Sequence, residues 1–441
     1  MIDLKKYRHL LDQMNPILVH GKVSEIIGLV VEGYGPAASI GEMCEIYPDN
    51  VNQAIRAEVV GFKNGKVLLM PLQSMQGLGP GCKIISLGRK ASVGVGENLL
   101  GRVIDGLGNP IDNKGPIAFD TEYPIYADPM NPLRRGRIVE PVDLGVRSIN
   151  GVLCCGKGQR MGIFAGSGVG KSVLLGMIAR NTNADVNVIG LIGERGREVR
   201  EFIEKNLGEE GLARSVVVVA GSDMHPLIRL RAAYMATSIS EYFRDLGKDV
   251  LLMLDSLTRF AMAQREIGLS VGEPPATKGY TPSVFSLLPK LLERSGNIED
   301  RGSITGLYTI LVEGDDFNEP ISDSARSILD GHIALTRELA NKNHYPAVDV
   351  LQSVSRVMID IVDEKHRQIA GKIVNILATY KKAEDLINIG AYVNGSNAEI
   401  DYAISVIDRV NQFLRQDIHE KVDFNQTKRQ MQAMFDMDSP S

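Results

Sequence analysis

The amino-acid sequence predicts an α/β core built on a mainly parallel sheet, preceded by an N-terminal β-barrel and followed by a C-terminal α-helical domain. Short segments with a two-residue period occupy the first part of the chain. In the middle, apolar runs of strand length alternate with helical patterns, and beyond about Met358 the pattern is mainly helical. Strands that are apolar on both faces and joined by helices are typical of a buried parallel sheet.

These changes of pattern divide the 441 residues into four segments. A helix is predicted within residues 1–20, the β-barrel at 21–96, the α/β core at 97–358 and the helical domain at 359–441. The length agrees with about 150 residues per domain, which gives around three domains.

The N-terminal segment places apolar side chains on one helix face. These residues are Leu4, Tyr7, Leu10, Leu11 and Met14. Two interpretations stay open: a helix that docks a partner, or a helix packed on its own domain.

The barrel is predicted from several short strand candidates. They are Val23–Val31, Glu42–Tyr47, Ala57–Phe62, Lys66–Met70 and Lys83–Leu87. Asn64-Gly65 between two of them indicates a two-residue hairpin turn, since both turn positions require a positive φ. Several short strands at this spacing favour a small closed barrel.

Strand-length apolar runs mark the α/β core. They are Met161–Phe164, Val186–Ile192, Val216–Ala220 and Val250–Leu254. Helical patterns separate them at Ser172–Asn181, Arg197–Leu207 and Pro226–Leu246. We expect the first and the last of these strands to be neighbours in the sheet.

Composition excludes several classes of protein. The formal net charge of −5 argues against a broad nucleic-acid-binding face, which is normally basic. The four cysteines contain no C-x-x-C pair, so a disulfide scaffold or a zinc site is not expected. No apolar run approaches the roughly 18–20 residues that cross a bilayer. We expect a cytosolic protein that can still work at a membrane surface.

The strongest motif is Ala165-Gly-Ser-Gly-Val-Gly-Lys-Ser172, which follows an apolar strand and precedes a helical pattern. This context predicts a phosphate-binding P-loop. Glycines let several backbone N–H groups face one anion, and the next helix adds the positive end of its dipole. Lys171 can reach the β- and γ-phosphates, and the Ser172 hydroxyl can bind Mg²⁺. The predicted nucleotide-binding residues are Gly166, Ser167, Gly168, Val169, Gly170, Lys171, Ser172 and Val173.

Two acidic residues follow other core strands. Asp255 ends an apolar run and is predicted at the carboxyl edge of the sheet, where open α/β folds bind ligands. Its carboxylate is the second candidate Mg²⁺ ligand, acting through a water because this cation keeps much of its hydration shell. Glu194 also ends a strand and can orient an attacking water beside the γ-phosphate. Glu198, four residues on, is expected to cap a helix.

With these motifs in place, the whole chain resembles the flagellum-specific ATPases of the type III export apparatus. Specific stretches include Gly190–Phe202, Asp255–Gly268, Gly272–Phe285 and Tyr345–Met358. The last stretch is similar to the signature segment of the ATP synthase α/β superfamily. The C-terminal part lacks the acidic Asp-Glu-Leu-Ser-Glu-Glu-Asp segment of the rotary β subunit, which favours an export ATPase over an ATP synthase subunit.

This resemblance implies a RecA-like ATPase core, assembled as a homohexamer that uses ATP and Mg²⁺. It implies that Glu194 is the catalytic glutamate and that Arg195 binds phosphate. Arg356 matches the arginine finger presented to the neighbouring subunit's ATP, and Tyr345 matches the aromatic ring that stacks on adenine. Lys171 and Ser172 match the P-loop.

The resemblance also implies partners and a location. The N-terminus would bind a dimeric regulator resembling a peripheral stalk, and a pore loop at 272–282 would meet a central stalk protein; an ordinary surface loop is the alternative. The export gate, chaperones and export substrates are expected partners, at the inner face of the cell membrane beneath the flagellum. Alternative functions are a virulence-type injectisome ATPase, a rotary subunit, a hexameric RNA helicase, and a docking ring that binds nucleotide without hydrolysis.

Overall fold

The computed structural model describes residues 19–49, 53–312, 316–317 and 319–436. Nearly all of the predicted N-terminal helix therefore lies outside the described residues. The described chain forms two compact units, the first of which includes the barrel and residues 266–274. The second includes residues 93–265 and the chain from 275 onward.

The first unit contains a closed six-stranded barrel. Its strands are β1 (His20–Ile27), β2 (Val30–Tyr34), β3 (Glu42–Tyr47), β4 (Ile55–Lys63), β5 (Lys66–Pro71) and β6 (Lys83–Lys90). Around the barrel they follow the order β1-β2-β5-β4-β3-β6. Asn64 and Gly65 form the predicted turn with φ of 51° and 77°. The prediction of one strand at Val23–Val31 is wrong, because Gly28 takes a φ of 57° and turns the chain back between β1 and β2.

The second unit is built on a nine-stranded sheet that confirms the predicted parallel core. The remaining strands are β7 (Ser92–Val95), β8 (Arg102–Asp105), β9 (Thr121–Pro124), β10 (Arg160–Ala165), β11 (Val186–Glu194), β12 (Ser215–Gly221), β13 (Asp249–Asp255), β14 (Gly296–Asn297), β15 (Ser303–Leu311), β16 (Gly331–Leu335) and β17 (Val348–Ser355). The main path runs β17-β16-β10-β15-β13-β11-β12-β8, and β14 pairs with β15. Strands β16 to β8 along this path are parallel, whereas β17 and β14 pair antiparallel.

One strand order differs from expectation. The strands that carry the P-loop and Asp255 were predicted to be neighbours, but β15 lies between β10 and β13. Its sequence, SITGLYTIL, was not among the predicted strands. Eight of its nine residues are buried, so it forms part of the centre of the sheet.

The helices cover the sheet and build the C-terminal region. They are α1 (Lys171–Asn181), α2 (Gly196–Glu201), α3 (Gly208–Ala213), α4 (Pro226–Asp245), α5 (Leu257–Val271), α6 (Pro282–Leu292), α7 (Pro320–Ile328), α8 (Arg337–Asn341), α9 (Met358–Ile361), α10 (Glu364–Asn388), α11 (Ala398–Leu414) and α12 (Phe424–Asp436). The helix predicted at Arg197–Leu207 widens into a π-helix at Phe202–Leu207 and continues through α3.

The C-terminal helices bury their own apolar cluster, as the mainly helical pattern predicts. Ile373 of α10, Val406 and Val410 of α11 and Met431 of α12 are all at most 1% exposed. Among the described residues, no helix combines the length and the apolar character needed to span a membrane.

Candidate active site

The P-loop joins the buried strand β10 to helix α1, which begins at Lys171. Gly168 and Gly170 take φ values of 78° and 93°, which side chains rarely adopt. The loop can therefore turn its backbone N–H groups toward one point at the start of the helix. Ala165, which stands where the usual motif has glycine, is buried at the end of β10 with 1% exposure.

Lys171 is held by two carboxylates from neighbouring parallel strands. Its ammonium group pairs directly with Asp255 Oδ1 at the end of β13, and lies 3.5 Å from Glu194 Oε1 at the end of β11. Burial alone would lower the Lys171 pKa, but the charges of Asp255 and Glu194 outweigh it and raise the pKa. Lys171 is therefore a stable cation at this edge of the sheet.

Glu194 is a carboxyl group in a partly desolvated environment. Burial, followed by the charge of Asp255, raises its pKa from 4.5 to about 7, although Lys171 opposes this shift. A side-chain hydrogen bond with Glu194, with help from Arg195, lowers the pKa of Glu198. The Glu194 carboxyl group therefore has a pKa that suits proton exchange at neutral pH, as expected of a group that assists the attack of water.

Other predicted residues line the mouth of the loop. Ser172 and Val173 are exposed in the first turn of α1. The ring of Tyr345 lies against Gly170, since a Cβ added there would be 3.5 Å from Tyr345 Cε1. Arg195 projects outward with 81% of its side chain exposed and pairs with Glu198 at 3.8 Å.

Arg356 is separated from these residues within one chain. It follows β17, and its backbone N–H donates to the carbonyl of Asp330, beside the start of β10. The P-loop begins at the other end of β10, five residues farther on, or about 16 Å at ~3.3 Å per residue. The exposed Arg356 side chain therefore lies at the edge of the sheet opposite the P-loop of its own chain.

Thr309, which contacts the site from β15, was not predicted from the sequence. Its hydroxyl donates to Asp255 Oδ1 at 2.7 Å and is fully buried. Nothing in the sequence pairs these residues, because they meet only when β15 enters the sheet beside β13. Ser303, Thr305 and Tyr308 of the same strand also carry hydroxyl groups, so Thr309 gave no separate signal.

The residues at this edge fit a magnesium-bound nucleotide. Asp255 supplies one carboxylate and Ser172 one hydroxyl, beside a loop suited to phosphate. Among the described residues, no cluster of three His, Cys, Asp or Glu side chains could hold a metal unaided. One carboxylate and one hydroxyl beside a phosphate-binding loop are typical of Mg²⁺ sites, in which one or two carboxylates act together with substrate phosphates and water.

We expect Glu194→Gln to change the pH dependence of stability in nucleotide-free protein. Because the folded pKa is raised to about 7 from 4.5, folded protein binds a proton that unfolded protein lacks between these values. Wild-type stability therefore rises as the pH falls through 7, and the variant lacks this gain. The melting-temperature advantage of the variant should be largest at pH 8 and shrink at pH 6.

The control for this measurement is Glu201→Gln, which removes a more exposed carboxylate from the following helix. A difference between Glu194→Gln and wild type that stays constant from pH 8 to pH 6 would show that Glu194 is not perturbed in the folded protein.

The fold and the site together define a P-loop nucleoside triphosphatase, with two carboxylates directed at the P-loop lysine. Three family models match the chain: the ATP synthase alpha/beta family nucleotide-binding domain at 145–355, its beta-barrel domain at 23–88, and the T3SS EscN ATPase C-terminal domain at 362–433. The chain belongs to the ATP synthase α/β family, in the branch of flagellar and type III secretion ATPases. It is an ATPase.

Relatives of known function support this assignment. The "Flagellum-specific ATP synthase" of Bacillus subtilis is 56% identical over 91% of this chain and 92% of that protein. The "Type 3 secretion system ATPase" of Xanthomonas euvesicatoria is 54% identical over 90% of each chain. The assembled ATPase EscN from enteropathogenic E. coli matches with a TM-score of 0.88 and 45% identity, over 94% of this chain and 99% of that one.

Proposed function

We propose that this protein hydrolyses ATP with Mg²⁺ to energise the export of flagellar proteins through a type III secretion system. The cluster of Lys171, Asp255 and Glu194 at one edge of a parallel sheet is the observation that carries the hydrolytic half. Docking, chaperone release and unfolding of export substrates are the work that hydrolysis would drive. The relatives named flagellum-specific ATP synthase support the second half of the proposal, which is the role in flagellar export.

Each predicted site residue has a separate role in this proposal. The backbone from Gly166 to Gly170 cradles the phosphates, and Lys171 balances their charge. Glu194 orients the attacking water and accepts its proton. Tyr345 stacks on the adenine beside the loop, while Arg195 binds phosphate at the exposed side.

Ser172 and Asp255 are the residues that would hold Mg²⁺. When bound, the cation would supply positive charge that offsets the negative charge of the phosphates. Thr309 fixes the Asp255 carboxylate by its 2.7 Å hydrogen bond, so that this group needs little reorganisation. Lys171 stands beside the same carboxylate and remains protonated at neutral pH.

The position of Arg356 supports an assembly of several subunits, which we propose is a homohexamer. This residue lies at the far end of β10 from its own P-loop, so a catalytic role for it requires a site on another subunit. A ring in which each Arg356 faces the next P-loop completes every site. The assembled state of the similar EscN supports a ring of this kind.

The remaining partners are proposed from the relatives. EscN has been solved in complex with its central stalk EscO, and that structure covers 94% of this chain with a TM-score of 0.87. A comparable stalk protein would meet the pore loop at 272–282. A dimeric regulator would bind the N-terminus and hold the protein at the inner face of the membrane, near the export gate and its chaperones and substrates.

ATPase activity measured against protein concentration tests the proposal. Activity per subunit should rise steeply as rings assemble, because a monomer holds ATP but lacks the neighbour's Arg356. Size-exclusion chromatography at the same concentrations gives the assembly state, and equilibrium binding of a fluorescent ATP analogue checks that monomers still bind nucleotide. Activity per subunit that stays constant into the monomeric range would refute the shared site.

An injectisome ATPase is the second candidate, since the Xanthomonas relative is nearly as similar as the Bacillus one. The sequences of segments 272–280 and 384–392 resemble flagellar ATPases more than injectisome ATPases, which favours the flagellar system. Neighbouring genes for rod, hook and filament proteins, or a motility defect on deletion, would support the flagellar function. Intact motility with lost effector secretion would favour the injectisome.

A further inference from the structure

Three hydrogen bonds hold the Ser355 side chain and the backbone N–H of Arg356. The Ser355 hydroxyl donates to the carbonyl of Cys154 at 2.8 Å and accepts from Gln159 Nε2 at 3.1 Å. The N–H of Arg356 donates to the carbonyl of Asp330 at 3.0 Å. Two separate parts of the chain, residues 154–159 and Asp330, therefore fix two consecutive residues.

Gln159 joins these contacts into one unit. Its side chain is fully buried, and its Nε2 also donates to the Asp330 carbonyl at 3.2 Å. Its Oε1 accepts from the N–H of Gly156 at 2.8 Å, so both ends of the amide are bound. A fully satisfied buried amide of this kind specifies a single geometry.

Asp330 is fixed in turn through its carboxylate. Oδ2 accepts from the backbone N–H and from Nε of Arg160, both at 3.0 Å, and Oδ1 accepts from Arg160 Nη2 at 2.9 Å. A two-pronged pair of this type is rigid as well as strong. Because Gln159 and Arg160 lead into β10, the strand that ends in the P-loop also anchors the base of Arg356.

The Arg356 side chain itself has little to hold it. It is exposed, and the side-chain hydrogen bond that it makes among the described residues is a long one, 3.3 Å from Nη2 to the carbonyl of Arg326. A fixed base with an outward side chain is the arrangement expected when a charge must reach a site in another molecule with accuracy. Misplacement of about 1 Å at such a site can cost roughly a hundredfold in rate.

We propose that Ser355, Gln159 and Asp330 are positioning residues that fix the direction in which Arg356 enters the neighbouring subunit's site. This inference rests on the proposed role of Arg356. The three residues act through its backbone and do not touch the nucleotide. Their loss should therefore lower turnover in the adjacent subunit, with no effect on the site of the subunit that carries the change.

Mixed assemblies of two variants isolate this effect. Arg356→Ala subunits keep intact P-loops, while Lys171→Ala subunits keep only Arg356, so activity in a mixture comes from sites that combine the two. Ser355→Ala is then added to the Lys171→Ala subunit alone. We expect activity of the mixture to fall by about tenfold, with an unchanged KM for ATP.

Ser353→Ala in the same subunit is the matched control. Ser353 lies two residues earlier on β17, accepts from the N–H of Ala334 at 2.9 Å and donates to the carbonyl of Asp349. It thus loses two hydrogen bonds, as Ser355 does, without releasing the base of Arg356. The mixture that carries Ser353→Ala should be as active as the reference mixture, which combines Arg356→Ala and Lys171→Ala subunits without a further change. Ser355→Thr, which keeps the hydroxyl, should restore most of the activity that Ser355→Ala removes.

Equal activity of the Ser355→Ala and Ser353→Ala mixtures would overturn the inference. A fall in activity matched by an equal loss of assembled rings, measured by light scattering, would also overturn it in favour of a structural role. An inactive reference mixture would instead refute the shared site itself, so failure of the proposed function is distinguished from failure of this inference.

Discussion

Glu194→Gln should lower ATP turnover by roughly 10²–10⁴-fold while the protein still binds ATP and assembles. The substitution keeps the size of the side chain but removes the negative charge that orients and polarises the attacking water. Lys171 and Asp255 remain paired, so the phosphate site should be retained. Single-turnover hydrolysis and equilibrium binding of an ATP analogue measure the two effects separately.

The control for Glu194→Gln is Glu201→Gln, which removes a carboxylate paired with Arg197 on the surface of α2. We expect that control to hydrolyse ATP at the wild-type rate. If Glu194→Gln also turns over at the wild-type rate, the catalytic assignment is wrong. If its loss of turnover is accompanied by an equal loss of ATP binding, Glu194 holds the site together instead of acting on water.

Arg356→Ala should lower turnover by about 10³–10⁵-fold, the range known for an arginine supplied in trans. Hydrolysis spreads negative charge over the transferring phosphoryl group, and the guanidinium is planar and permanently charged. Because Arg356 lies about 16 Å along β10 from its own P-loop, its removal should leave nucleotide affinity of the monomer intact. Steady-state hydrolysis by assembled protein and binding by dilute protein are the measurements.

Two further variants sharpen the test of Arg356. Arg356→Lys keeps the charge but loses the fork geometry, so it should recover only part of the rate. Arg326→Ala removes a nearby arginine that pairs with Asp323, and it should leave turnover largely unchanged. Full activity of Arg356→Ala in assembled protein would refute the assignment, as would lost ATP binding by its monomer.

Much of the fold could be predicted because its signals are local. The Asn64-Gly65 turn, the period of the barrel strands and the apolar runs of the core all depend on nearby residues. Where local signals were ambiguous, prediction failed. Val23–Val31 is apolar enough to be one strand, and only the positive φ of Gly28 separates β1 from β2.

The part of the candidate site that could be predicted from the sequence consists of residues at the ends of parallel strands, because these ends meet at one edge of the sheet. Glu194 and Asp255 end parallel strands, so the sheet necessarily brings them to the edge where the P-loop begins. Thr309 could not be found in this way, because its strand enters between β10 and β13 from a distant part of the chain. Tyr345 and Arg356 came from the family resemblance, since one tyrosine or arginine in a loop carries no chemical signal.

By itself, the sequence determined the type of chemistry and the class of fold. The spacing of the glycines, the lysine that follows them and the acidic residues after apolar runs are features of the residue order, which does not depend on the fold. Only the tertiary structure decided the raised pKa of Glu194, the hydrogen bond from Thr309, and the placing of Arg356 at the opposite end of β10. Burial, strand order and through-space charge create these properties, and each depends on residues far apart in the chain.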